Sequence, residues 1–364
     1  MAVRTMNHEL TRKEALKVMG GGSLAALGLA YGFSPREALA LDTIKLGVQP
    51  FYNADPSKPG MQRGFNVFAS QSGKKPYYYS AWTDPMNKHD DALRDNYNVN
   101  ALKVAEDLGV HLQLNIEIEP MRTNGDYFPQ FVDGTGLTEA GNNGDTYIMN
   151  IAQHLKAWTD KTGHTVPVLL FHELNARKSG WGGPDVVPKL WKRYVTIMRG
   201  GNVNANLAAI NQEPLKTSKS VGVNNRLRFV FTILAGASAR TNWGDYYPGN
   251  SWVDHCGANV YPSADDSNRR GQFEMLSDFN VWAANRNKPL AIPEFNWAAN
   301  ASDDRPGPMR ELLQWMINHA GRITYASQFE STSNFAVFKV GANPHPDLRN
   351  LYQGYYSRAA FRGD

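Results

Sequence analysis

The sequence predicts an α/β protein built as a single (β/α)8 barrel, and three observations carry that prediction. Eight short, apolar, β-branched runs recur along the chain at wide spacing. Near-continuous apolar strands of this kind belong to parallel sheets covered on both faces. Helical periodicity fills several of the intervals, most clearly in "DALRDNYNVNALKVAEDLG", "TYIMNIAQHLKAW", "PKLWKRYVTIM" and "PMRELLQWMINHA". The first run is not followed by a glycine-rich phosphate loop, which disfavours the runner-up, an open doubly wound sheet. Eight strand–helix units suit a chain of 364 residues.

The runs can be taken in order. "TIKLGVQP" (43–50) opens the barrel, and "YYYSAW" (77–82) ends in Trp82. "VHLQLNIEIE" (110–119) carries Glu117 and Glu119, which alternation places on one face. "VPVLLFHE" (166–173) stops at His172-Glu173 and passes into a loop with Gly180, Trp181, Gly182 and Gly183. "RFVFTILAG" (228–236) is the fifth. The sixth, "VDHCGANVY" (253–261), starts beside a structural Asp254, carries a buried and inert Cys256, and ends in Tyr261. "KPLAIPEF" (288–295) brings Glu294, and "ITYASQFE" (323–330) ends at Glu330. "FAVFKV" (335–340) is either a short additional strand or the eighth itself.

The first 40 residues read as an export signal outside the fold. Arg12, Lys13 and Lys17 form a basic start, residues 18–33 are weakly apolar and glycine-rich, and Ala38-Leu39-Ala40 is a small-x-small cleavage site. "TRKEALK" resembles the twin-arginine export motif, with Lys13 in place of the second arginine. The expected mature domain is residues 41–364, periplasmic or extracellular, with the twin-arginine machinery as partner of the precursor and no stable membrane insertion after cleavage. It is close to neutral, with 33 Lys+Arg against 31 Asp+Glu. No basic stripe points to nucleic acid, and the lone Cys256 excludes a disulfide framework.

In a (β/α)8 barrel, chemistry gathers at the C-terminal ends of the strands. Carboxylates from opposite sides of the mouth can flank a glycosidic bond, one protonating the leaving oxygen and the other attacking the anomeric carbon. Trp82, Trp181, Trp243 and Trp297 follow the second, fourth, fifth and seventh runs. Flat amphipathic rings suit the apolar faces of sugars; the competing assignment is to the barrel's own packing.

These segments resemble glycoside hydrolase family 26, known mainly for β-mannanases. "FHELNARKSGWGG" is similar to its acid/base segment, "YYPGNSWVDHCGANVYP" to its sixth-strand segment and "KPLAIPEFNW" to its nucleophile strand, in the family's order and over most of the chain from Thr43. The resemblance implies Glu173 as acid/base and Glu294 as nucleophile. It implies His172 near the reacting sugar, Tyr261 donating to Glu294, and Trp181 as an aromatic platform. Asn175 matches a family asparagine, for which a structural role is the alternative. A fourth-strand acid with a seventh-strand nucleophile implies a retaining mechanism, with the carboxyls about 5–5.5 Å apart. Departures are Ala176 where glycine is common, Arg177 and Lys178 where aromatics are frequent, "GNS" in place of a more acidic stretch, and an eighth strand without tryptophan, for which Phe329 or Phe338 would substitute.

The expected function is thus an exported retaining glycosidase acting on mannan-like or other β-glycan, without cofactor or metal. Arg177 and Lys178 point alternatively to an anionic or decorated polysaccharide. Two other readings share the motifs: a non-catalytic glycan-binding barrel, and a transglycosylase acting on a bacterial exopolysaccharide. Glu117 and Glu119 are expected to bind sugar hydroxyls or form salt bridges. The polar segment 124–145 reads as a cleft-shaping loop, since its spacing does not fit an EF-hand. "HELN" is not HExxH, and there is no GxSxG elbow.

Overall fold

The computed structural model describes residues 43–83, 101–116, 132, 134, 143–171, 173–176, 183–236, 242–297, 306–330, 336–341 and 345–364. Eight parallel strands follow one another round the sheet: β1 (Ile44–Gln49), β2 (Tyr78–Thr83), β3 (His111–Ile116), β4 (Val166–Leu170), β5 (Leu227–Leu234), β6 (His255–Asn259), β7 (Leu290–Phe295) and β8 (Ile323–Phe329). β1 pairs with both β2 and β8, which closes the barrel. A two-residue strand, β9 (Phe361–Arg362), adds to β1 at Ile44 and Lys45. The segment 336–340 is not a strand, so the eighth strand is the one ending at Phe329.

The helices are α1 (Met61–Ser72), α2 (Ala101–Leu108), α3 (Gly144–Thr162), α4 (Val187–Arg199), α5 (Val203–Ala208), α6 (Asp266–Ala284), α7 (Gly307–Asn318) and α8 (Pro346–Tyr356). α3 begins where Asn143 Oδ1 accepts from Thr146 N at 2.8 Å, and ends at Gly163 in the left-handed region. α6 is capped in the same way by Asp265, which accepts from Asn268 N at 2.8 Å. One residue set of each strand (Ile44, Leu46, Val48; Leu112, Leu114, Ile116; Val166, Val168, Leu170) packs outward under the helices.

The opposite set fills the barrel. Tyr78, Leu169, Val230, Ala291 and Tyr325 form an apolar plug. Above it lies a polar layer, in which Ser327 Oγ donates to Gln113 Oε1 at 2.6 Å and Gln113 Nε2 donates to Pro293 O at 3.2 Å. Gly47 is required here, because a Cβ would lie 2.1 Å from Ser327 Oγ. Asp254, read from the sequence as structural, accepts from Phe229 N at 2.8 Å at the base of β6. Cys256 is buried on the outer face of β6, where burial pushes its thiol up to about 12.

Candidate active site

β4 ends at Leu170, three residues before Glu173. Simple alternation would send Phe171 into the barrel with Leu169. Instead Phe171 takes φ 60° and packs outward, 6.0 Å from Tyr194 and 5.9 Å from Trp191 of α4 (ring centroids). Glu173 is also left-handed, at φ 54°. Such a conformation is uncommon in residues other than glycine and asparagine, and costs of order 1–3 kcal/mol. The regular strand thus ends at Leu170, and Glu173 is half-buried in the turn that follows.

The seventh strand is re-phased by a different device. Gly257 of β6 faces Ala291 of β7, whereas Val260 faces Phe295, so β7 holds one residue more than β6 over this interval. The β7–β8 register also slips between Ile292 and Phe295. This is a β-bulge. Ala291 points in and Phe295 packs outward near Tyr352, at 6.4 Å, while Glu294 reaches the interior.

β6 supplies the partners. Tyr261 Oη donates to Glu294 Oε2 at 2.8 Å, and Asn259 Nδ2 donates to Glu173 Oε1 at 3.2 Å. Asn259 and Tyr261 share one face by alternation, so one strand addresses both acids. Burial raises the Tyr261 phenol well above its ordinary value, and the charges of Glu294 and then Glu173 raise it further. The two carboxyls and this phenol therefore share one neighbourhood, and the phenol stays protonated as a donor. Asn259 was missed in the sequence; its position two residues before Tyr261 was the available signal.

The other expected residues divide. Trp82 belongs to β2 itself rather than to the segment after it, and its Nε1 donates to Gln49 Oε1 at 2.5 Å at the mouth. Asn175 is buried with both ends of its amide on β5: Nδ2 donates to Leu234 O at 2.8 Å, and Oδ1 accepts from Leu234 N at 2.7 Å. That pairing fastens the turn carrying Glu173 to β5, the structural role that was the alternative for Asn175. Trp243 is half-buried and packs edge-on against Phe279 and Trp282 of α6. Trp297 follows β7 and is buried, only 3% exposed. Phe329 meets Tyr261 at 6.1 Å with perpendicular rings, while Phe338 is buried with its ring against Phe68 of α1. His172, Trp181, Glu117, Glu119, Arg177 and Lys178 lie outside the described residues, as do residues 1–40. Among the described residues no group of three or more His, Cys, Asp and Glu is placed to hold a metal ion. No described helix is long and apolar enough to cross a membrane.

Residues 120–288 match glycosyl hydrolase family 26. The matched stretch is a little under half of the chain and contains Glu173, Asn259 and Tyr261; Glu294 lies just beyond it. With the family 26 match on a closed barrel, the chain is a glycoside hydrolase. Its fold is similar to that of a modular endo-β-1,4-mannanase from Cellulomonas fimi, at 16% identity and TM-score 0.63, covering 94% of this chain and 75% of that one. The catalytic domain of a Bacillus sp. JAMB-750 family 26 endo-β-1,4-mannanase gives 16% identity and TM-score 0.60, covering 90% of each chain. A family 26 β-mannanase from Bacteroides ovatus gives 13% and 0.56, covering 90% of this chain and 94% of that one. No curated protein matches the sequence significantly.

Proposed function

We propose that the protein is a retaining glycosidase that cleaves β-linked glycan, with a mannan-like backbone as the first candidate substrate. Glu294 attacks the anomeric carbon while Glu173 gives its proton to the departing glycosidic oxygen. The C1–O bond to the leaving sugar breaks, and an ester bond from C1 to Glu294 replaces it. Glu173, now a carboxylate, takes a proton from water, whose oxygen displaces Glu294 from the same face the leaving sugar occupied. The observation that carries this reading is the unequal treatment of the two acids. Tyr261 donates to Glu294 from 2.8 Å, which favours a charged nucleophile, whereas the contact Glu173 receives from Asn259 is longer, at 3.2 Å. Carboxyls placed in different surroundings are what divides acid from nucleophile.

The experiment is hydrolysis of a panel of neutral and uronate-containing β-glycans by the wild type, Glu173→Gln and Glu294→Gln. Either variant should lose orders of magnitude in turnover yet still bind oligosaccharide, and the wild type should release product with the anomeric configuration retained. A wild type that binds oligosaccharides but frees no reducing ends would be a glycan-binding barrel instead. Transfer products in place of free sugars would make it a transglycosylase.

The N-terminal reading belongs with this proposal: residues 1–40 direct export by a twin-arginine-like route, and the enzyme works outside the cytoplasm. The N-terminus of protein recovered from periplasm or medium should begin near Leu41; an intact Met1 there would refute cleavage.

A further inference from the structure

One buried acid has no place in the reaction just described. Glu330 follows β8, is 1% exposed, and receives four donors. Val337 N and Phe338 N donate to Oε2 at 2.7 and 3.0 Å. Gln328 Nε2 and Asn296 Nδ2 donate to Oε1 at 2.5 and 3.4 Å. Burial pushes the carboxyl up to about 8, against the pull of these donors. A hydrocarbon side chain would fill the same space without that penalty. It would leave the Val337 and Phe338 amides without this acceptor, and would take one acceptor from Gln328 Nε2 and one from Asn296 Nδ2.

Asn296 is two residues after Glu294 and fully buried. Its Nδ2 also donates to Phe329 O at 2.5 Å. Its Oδ1 accepts from Tyr352 Oη of α8 at 2.8 Å and from Trp297 N at 2.8 Å. Phe329 in turn meets the ring of Tyr261, the donor to Glu294. Asn296 thus ties the strand end that carries Glu294 to the strand end that backs Tyr261.

That tie stands where the backbone supplies least. The β7–β8 ladder slips between Leu290 and Ile292 and again between Ile292 and Phe295. Pro293 has no N–H to contribute. The bulge that turns Glu294 inward therefore weakens the sheet beside it, and side chains close the gap.

We propose that Glu330 is a positioning residue: acting through Asn296, it holds the end of β7 and so sets the direction from which Glu294 attacks. It touches neither substrate nor reacting atom. The inference rests on Glu294 being the nucleophile, as proposed above.

The test is steady-state kinetics of Glu330→Gln, Tyr352→Phe and the double variant, on an oligosaccharide the wild type cleaves. Glu330→Gln keeps the volume but turns one acceptor oxygen into a donor facing donors. The single variants should fold, by near-UV circular dichroism. kcat should fall about 10–100-fold for Glu330→Gln and by less for Tyr352→Phe, since displacements near 1 Å cost on that order. KM should stay within about twofold, because the sugar contacts are untouched. The double variant should be no worse than Glu330→Gln by more than about threefold, because both act through Asn296. A kcat within about twofold of wild type in the folded single variants overturns the proposal, as does an effect confined to KM. If Glu330→Gln does not fold, Tyr352→Phe decides on the same split. A wild type without glycosidase activity refutes the function itself, whereas an active wild type with unchanged variants refutes only the positioning.

Discussion

Replacing Tyr261 by phenylalanine isolates one hydrogen bond at the candidate nucleophile. The substitution removes the hydroxyl that donates to Glu294 Oε2 at 2.8 Å and keeps the ring that meets Phe329 edge-on. A hydrogen bond to a charged group contributes about 1.5–3 kcal/mol. If the bond holds the nucleophile in the reactive state, its loss should lower kcat/KM about 10–150-fold, at roughly 1.4 kcal/mol per factor of ten. The direction of the pH effect also follows. A donor on a carboxylate favours the ionised form, so without it a proton competes better and the acidic limb of the profile moves to higher pH. The assay is kcat/KM against pH on a cleaved oligosaccharide, with circular dichroism to confirm folding. A folded Tyr261→Phe enzyme within about threefold of wild type, with an unmoved acidic limb, would refute the reasoning.

Three further outcomes follow from the packing around the site. Asn175→Ala should remove both bonds to Leu234, at about 1–3 kcal/mol for each backbone group left unpaired; a urea melt would show it, and an unchanged midpoint would deny the clamp. Arg193 and Asp145 form a fully buried bidentate pair at 2.7 and 2.6 Å, so Arg193→Met, which strands the carboxylate, should cost about 3–5 kcal/mol, read as a lower Tm. Burial holds His111 and His255 down at about 4, and lowers His164 as well. The folded state therefore binds fewer protons than the unfolded chain. Stability from these rings is complete above about pH 6.5 and falls as pH drops toward 4, by at most about 1.4 kcal/mol per pH unit for each ring. The slope is smaller where the rings keep water contact. Denaturant melts at pH 7 and pH 5 give the comparison, and equal stability at both would contradict it.

Much of this molecule was legible in the chain. All eight strands fall within or beside the runs that β-branched and apolar residues marked, because a parallel sheet buried on both faces must be apolar along its length. The barrel then places strand ends at the mouth by geometry, which made Glu117, Glu119, Glu173, Glu294 and Glu330 candidates together; the resemblance to glycoside hydrolase family 26 is what picked out Glu173 and Glu294 as a pair. The aromatic count by itself does not say which rings face the cleft and which pack on helices. Trp243 is an aromatic after a strand, yet it faces α6, because a residue after a strand can turn to either side.

Only the tertiary structure decided how the two acids reach the interior. Alternation from Ala291 would have pointed Glu294 outward, and the extra residue in β7 reverses it. Phe171 and Glu173 adopt left-handed backbone that nothing in their residue types requests. The surroundings impose it: Trp191 and Tyr194 take the phenylalanine, and Leu234 grips Asn175 beyond it. Composition and periodicity report which face a regular strand buries. They carry no record of where regularity breaks, because a bulge or a left-handed residue is stabilised by contacts from distant parts of the chain. The apolar pattern of the amino acids determined the fold, and the long-range contacts at the ends of β4 and β7 decided where Glu173 and Glu294 lie within it.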